Sequence, residues 1–154
     1  MARLKPGDIV EIGTSKGLAY GLCTHRHRQY GTLIRVIDGL LPQRPGDLAS
    51  LARRRVSFSC FVALPAAADQ PVVSIVGHAD VPPELLGFPT FRAGIIDPRI
   101  GKVALWWLWD GDKEWPIGAL TPEQRRFPIR GIWDVTLLVE RIESGWTAET
   151  DPWT

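Results

Sequence analysis

Apolar and polar side chains alternate along much of this chain, and Gly, Pro and Asp interrupt the alternation every 8–12 residues or so. That pattern predicts many short strands joined by tight turns. "LKPGDIVEIGT" reads as a turn at Pro6-Gly7-Asp8 followed by a strand, with Ile9 and Ile12 apolar and Asp8 and Glu11 polar. "GLAYGLCTHRH" follows a Ser-Lys-Gly turn, and "YGTLIRVIDG" follows a short basic connection. "VSFSCFVAL" sets Val56, Phe58, Cys60 and Val62 on one face and Ser57, Ser59 and Phe61 on the other. "PVVSIVGHADV" is a further strand, whereas 82–91 carries prolines that would remove ladder donors and is expected as a packed loop.

The next stretch, 91–118, reads as a meander: strand 91–96, turn 97–102, strand 103–109, turn 110–113, strand 114–118. In the middle strand Val103, Leu105, Trp107 and Trp109 point one way, and Ala104, Trp106 and Leu108 the other. A strand apolar on both faces is usually buried on both, so 103–109 should be central. Helical signals are few. Asp47 can cap a short helix carrying Leu48, Leu51 and Ala52. In "LTPEQRRF", Thr121, Pro122 and Gln124 form a capping-box start. "WDVTLLVERIESGW" fits a strand through Trp133, Val135, Leu137 and Val139. It also fits a helix through Val135, Leu138, Val139 and Ile142, and Asp134 and Gly145 as start and stop favour the helix. The fold class is therefore α+β, mostly β: a small SH3-like barrel or a strongly bent antiparallel sheet, about seven to nine strands with two or three short helices.

Composition narrows the function more than the fold. The chain has 154 residues, 45% hydrophobic and 23% charged, in keeping with one soluble β-rich domain over 1–146 and a polar tail over 147–154. The net charge is +1, from 18 basic and 17 acidic residues, which argues against nucleic acid as the partner. "MARLKPGDIVEI" has no apolar signal region, and the longest apolar run, 103–109, falls far short of the ~20 residues of a spanning helix. The expected location is cytoplasmic, away from membranes. There Cys23 and Cys60 are free thiols that serve as small apolar fillers.

Candidate chemistry is concentrated in a few segments. Trp109 and Trp115 could form a surface aromatic patch beside the core strand. "DGDKE" places Asp110 and Asp112 in a turn, where Asp-Gly signals a hairpin and Lys113 disfavours calcium. In "CTHRHRQY" an unbroken strand would put Cys23, His25 and His27 on one face, a respectable zinc set that lacks a fourth ligand. A His there could also do acid–base work, with Arg26, Arg28 or Arg35 holding a phosphate. The plainer account is a strand running out into a solvated basic loop. Neither cofactor nor metal is expected. The basic runs at 53–55 and 125–126 suit helix ends.

The order of "KPGDIVEI", "WWLWDGDKEWPIG" and "LTPEQRRFPIRGIWDVTLLVERIESGW" resembles the immunity protein 26 family of bacterial polymorphic toxin systems. The features that carry it are the Gly7-Asp8 strand start, the hairpin from Gly111 to Trp115 with Ile117-Gly118, and the terminal element through Leu138, Arg141 and Ile142. The resemblance spans Lys5 to about Trp146, without a match over 43–89. It implies a non-enzymatic protein that binds and neutralises a cognate toxin. Contacts would then fall on the turns bearing Trp109, Asp110, Asp112 and Trp115, and on His25, His27 and Arg28. The alternatives are a small-barrel ribonuclease toxin of a toxin–antitoxin pair, with "CTHRHRQY" as its active loop, and a stand-alone barrel that binds peptide or nucleic acid.

Overall fold

The computed structural model describes residues 4–63 and 72–154. They form two compact units. The first is Met1–Gly87 with Gly131–Gly145, and the second is Phe88–Arg130 with Trp146–Thr154.

The first unit is built on strands β1 (Asp8–Thr14), β2 (Gly17–His27), β3 (Gly31–Ile37), β4 (Val56–Val62) and β5 (Val73–His78), and, from later in the chain, β11 (Ile132–Trp133). The strand expected over 71–81 starts at residue 71, outside the described residues, and is observed as β5. The spatial order is β11-β4-β3-β2-β1-β5. β11 runs parallel to β4 while the other pairs are antiparallel, so the sheet is mixed. No pairing among the described residues joins β5 to β11, and the sheet is open where a closed barrel was one expectation.

Local chemistry fixes the first hairpin. The Thr14 hydroxyl donates to the Gly17 carbonyl at 2.7 Å, and Gly17, with φ of +133°, takes a backbone conformation that L side chains rarely adopt. Pairing Ile9 with Leu22 and Val10 with Gly21 sends alternate residues to opposite faces. Both faces are covered. On one, Ile9, Tyr20, Leu22 and Ile37 cluster with Leu51 and Ala52 of the 3-10 helix Leu48–Arg53, capped by Asp47 as expected. The other face carries the buried Val10, Ile12, Cys23, Ile34 and Cys60. At Gly21 a Cβ would come within 2.4 Å of Ile34 Cγ2, so glycine lets neighbouring strands pack there.

Helix α1 (Val135–Ser144) packs against β1 and buries Leu138 completely. Its ends are those the sequence signalled. Asp134 accepts from Leu137 N–H at 2.7 Å, and Gly145 closes the helix at φ 69°. The strand alternative survives only in Trp133, which stacks on Phe58 at 5.4 Å beneath the Arg141 guanidinium.

The second unit contains β6 (Phe91–Ala93), β7 (Ile96–Asp97), β8 (Lys102–Val103), β9 (Trp106–Trp109) and β10 (Glu114–Gly118). Among the described residues the strands run to β11, beyond the expected seven to nine, because 91–96 and 103–109 are each split in two. β9 is central between β10 and β6, as the two-faced apolar pattern required. The break comes at Ala104 and Leu105, both exposed, because Val103 pairs instead with Ile96 in the separate β7–β8 hairpin. Arg92, fully buried, places its guanidinium 4.7 Å from the centre of the Trp106 ring. It donates to the carbonyls of Phe127 (3.3 Å), Arg125 (3.2 Å) and Ala148, and to the Thr154 hydroxyl (2.9 Å). Residues 147–154 are accordingly packed: Ala148 and Asp151 are buried, and Trp146 Nε1 donates to Asp151 at 3.1 Å. Thr121 and Gln124 exchange the two capping-box bonds, at 2.9 and 3.2 Å, ahead of the 3-10 turn Gln124–Arg126.

Trp106 is 5% exposed and its ring lies against the Arg92 guanidinium. Trp106→Ala should cost about 3–5 kcal/mol in urea-induced unfolding. A cost under about 1 kcal/mol would show that the ring contributes no core packing.

Candidate functional site

The segment with the most polar chemistry in the sequence, 23–28, does not form the surface that strict alternation predicts. The register between β2 and β3 shifts between Cys23 and His25, leaving Thr24 as an inserted residue. Such a bulge re-aims side chains. Cys23 is fully buried, and burial, with Asp8 adding to it, pushes its thiol up to about 11. Burial also pushes Cys60 upward. Both are apolar fillers with no thiolate character at neutral pH. The one-face zinc arrangement of Cys23, His25 and His27 is thereby broken, and no group of three or more potential ligands gathers among the described residues.

His25 is turned into a hydrogen-bond chain. Its Nε2 lies 2.8 Å from the Leu86 carbonyl, which can only accept, so Nε2 carries the proton. Nδ1 then accepts from the Thr24 hydroxyl at 2.8 Å. The Thr24 oxygen accepts in turn from Arg35 Nε at 3.0 Å, and Arg35 Nη1 donates to Ser59 at 3.3 Å. Burial holds the His25 imidazole below its ordinary 6.5; the Leu86 contact opposes this and Arg35 reinforces it. His27 organises the next turn. Its Nδ1 accepts from the backbone N–H groups of Gln29 (3.1 Å) and Tyr30 (3.3 Å), and its ring meets Tyr30 and the buried Phe61 edge-on. Of the residues nominated in this segment, Arg26 and Arg28 are exposed.

The second nominated turn is likewise mostly structural. Asp110 accepts from the N–H groups of Asp112 (3.0 Å) and Lys113 (2.8 Å), and these bonds hold its carboxyl below the usual range. Trp109 is a core residue, 5% exposed, packed on Phe88 and Phe91 with Arg130 over its ring. It is therefore not part of a surface patch. Trp115 is exposed, as proposed for it, on the face of β10 opposite to Glu114 and Pro116.

Two grooves are lined by residues that no sequence motif marks. In the first unit, about 720 Å³ opens beside Ala52, Arg53, His78, Asp80 and Glu84. There the buried Asp8 accepts from His78 at 3.2 Å and from Lys5 N–H at 3.0 Å. The His78 side chain is 54% exposed. In the second unit, about 530 Å³ is lined by Ala93, Ile95, Leu105, Trp107, Glu114 and Arg130. Its apolar wall is open to solvent: Ile95 is 89% exposed and Leu105 49%. Ile96 and Ile100, also exposed, belong to the adjoining β7–β8 hairpin. At the other wall Arg130 donates to Glu114 at 2.7 Å. No family model, curated protein or solved structure matches this chain.

The His25 geometry fixes a pH dependence. Its folded value lies below 6.5, so protonation favours the unfolded chain. The stability that neutral His25 contributes is complete above that unfolded value and is lost as pH falls through it towards the folded value. Unfolding free energies measured from pH 7.5 down to 5 should decline more steeply for the wild type than for His25→Gln. Parallel curves would show that His25 has the same proton affinity folded and unfolded.

Proposed function

We propose that this chain is a protein-binding domain without catalytic activity of its own, an immunity-type protein that holds and neutralises a cognate bacterial toxin. One observation carries the reading: the second unit presents large aliphatic side chains to solvent around a groove. Ile96 lies in β7 and Ile100 in the turn between β7 and β8, while Ile95 precedes β7 and Leu105 follows β8, and all four are exposed. Leaving such side chains in water forgoes ~25 cal/mol for each Å² of apolar surface that burial would remove, so a contiguous group of them marks an interaction site. The Glu114–Arg130 pair, with Trp107 in the groove lining, supplies the polar and aromatic content typical of protein interfaces. The near-neutral charge suits a protein partner better than a polyanion. The resemblance to the immunity protein 26 family supplies the toxin as the kind of partner.

A second reading has its own observation. Asp8 fixes the tautomer of His78 so that Nε2 is left as an acceptor beside a groove that also holds Arg53. A carboxylate-oriented imidazole is the arrangement of a general base, and a ribonuclease would use it to deprotonate a ribose hydroxyl. His25 and His27, bonded within the fold, are no longer the candidates.

Co-expression with the toxin encoded next to this chain should restore growth and give a stable complex on size exclusion. Leu105→Arg should weaken that complex at least tenfold, about 1.4 kcal/mol. Rescue and affinity untouched by Leu105→Arg and by Ile95→Glu would remove the groove from the interface. RNA cleavage by the purified protein, abolished by His78→Ala, would establish the second reading instead.

A further inference from the structure

Arg35 is 6% exposed, and its side-chain partners are two hydroxyls, Thr24 Oγ1 at 3.0 Å and Ser59 Oγ at 3.3 Å. Both of these residues are themselves buried, at 6% and 8% exposure. No carboxylate among the described residues pairs with the guanidinium. An unpaired buried charge forfeits several kcal/mol of solvation, which is why buried arginines are ordinarily matched by an anion. Burial lowers the Arg35 pKa to about 10, which leaves it cationic at neutral pH.

Counting hydrogens shows what the site lacks. The Leu86 carbonyl takes the His25 Nε2 proton, His25 Nδ1 takes the Thr24 proton, and Thr24 and Ser59 take one proton each from Arg35. Neither hydroxyl carries a negative charge to offset the guanidinium. Left over are the second Nη1–H, both Nη2–H bonds and the Ser59 O–H, all donors. No side-chain nitrogen or oxygen sealed from solvent lacks a partner among the described residues, so Nη2 reaches water through the small exposed part of the residue. Thr24, Arg35 and Ser59 come from three adjacent strands, β2, β3 and β4, and the register pairs Arg35 directly with Ser59. The donors are therefore held by the sheet itself and cost little ordering when a ligand arrives.

We propose that the free edge of Arg35, together with the Ser59 hydroxyl, is a binding site for a small oxyanion, a carboxylate or an inorganic phosphate. A planar guanidinium takes either bidentately, and Ser59 would donate the further bond. Arg35 is 6% exposed and Ser59 8%, so a small anion suits the site better than a polymer backbone. This site is independent of the partner groove in the second unit.

The test is equilibrium unfolding of the full chain at pH 7.5 and constant ionic strength, titrating sodium acetate or sodium phosphate against sodium chloride. A ligand specific to the folded state raises stability as RT ln(1 + [L]/Kd). The wild-type midpoint should climb with at least one of the two anions, and which one identifies the source. Ser59→Ala should weaken the apparent affinity at least tenfold, and Arg35→Met should abolish the dependence. Should Arg35→Met fail to fold, Ser59→Ala alone decides. A wild-type midpoint indifferent to both anions, or a climb of equal size in the wild type and Ser59→Ala, overturns the proposal.

Discussion

The central constraint in the first unit is that its sheet is apolar on both faces and must be covered on both. Strands β1 to β4 carry Ile9, Leu22 and Ile37 on one side and Val10, Ile34 and Cys60 on the other. One side receives a 3-10 helix through Leu51 and Ala52, and α1 comes against β1 with Leu138. Any polar group left between these layers must find its hydrogen bonds inside the protein. That requirement explains the chain from Leu86 through His25, Thr24 and Arg35 to Ser59, and it turns the histidine segment from solvent chemistry into internal wiring.

The two buried arginines meet the same constraint differently. Arg92 is surrounded by carbonyl oxygens and a hydroxyl, lies on the Trp106 ring, and has Asp151 favouring its charge. Its role is to tie β6 to residues 125–127 and 148–154 of the second unit. Arg35 has hydroxyls alone, and hydroxyls bring protons of their own as well as lone pairs. Arg92 places four of its five N–H donors within the fold, whereas Arg35 places two and retains donors facing the little solvent it touches. Both are buried, and burial lowers the pKa of each to about 10.

Exposed apolar surface is distributed in an equally specific way. β9 is protected on both sides by β10 and β6, and its tryptophans Trp106 and Trp109 are buried. Immediately before it the chain turns out at Ala104 and Leu105 to join a two-strand hairpin too small to bury its own isoleucines. A hairpin of this size is marginal without support. Its apolar residues are the ones a partner would cover.

Much of this was legible in the sequence where a signal is local. Thr14 to Gly17 turns the first hairpin, Asp134 and Gly145 bound α1, Thr121 and Gln124 form their capping box, and Asp110 with Gly111 turns β9 into β10. Each rests on bonds between residues a few positions apart, which composition and spacing encode directly. What the tertiary structure alone decided depends on register between distant strands. A single inserted residue at Thr24 reverses which way Cys23 and His25 face, and no alternation rule can place a bulge that is selected by pairing with β3. Trp109 and Leu105 occupied one face of one apolar run, yet one is core and the other solvent, because Val103 pairs with Ile96 and not with the sheet around β9. Asp8 and His78, 70 positions apart, meet only through the pairing of β1 with β5. Arg35 and Ser59 likewise become neighbours only when β3 lies beside β4. The local code specifies turns and caps; long-range pairing decides which charges and which apolar side chains are left without a partner.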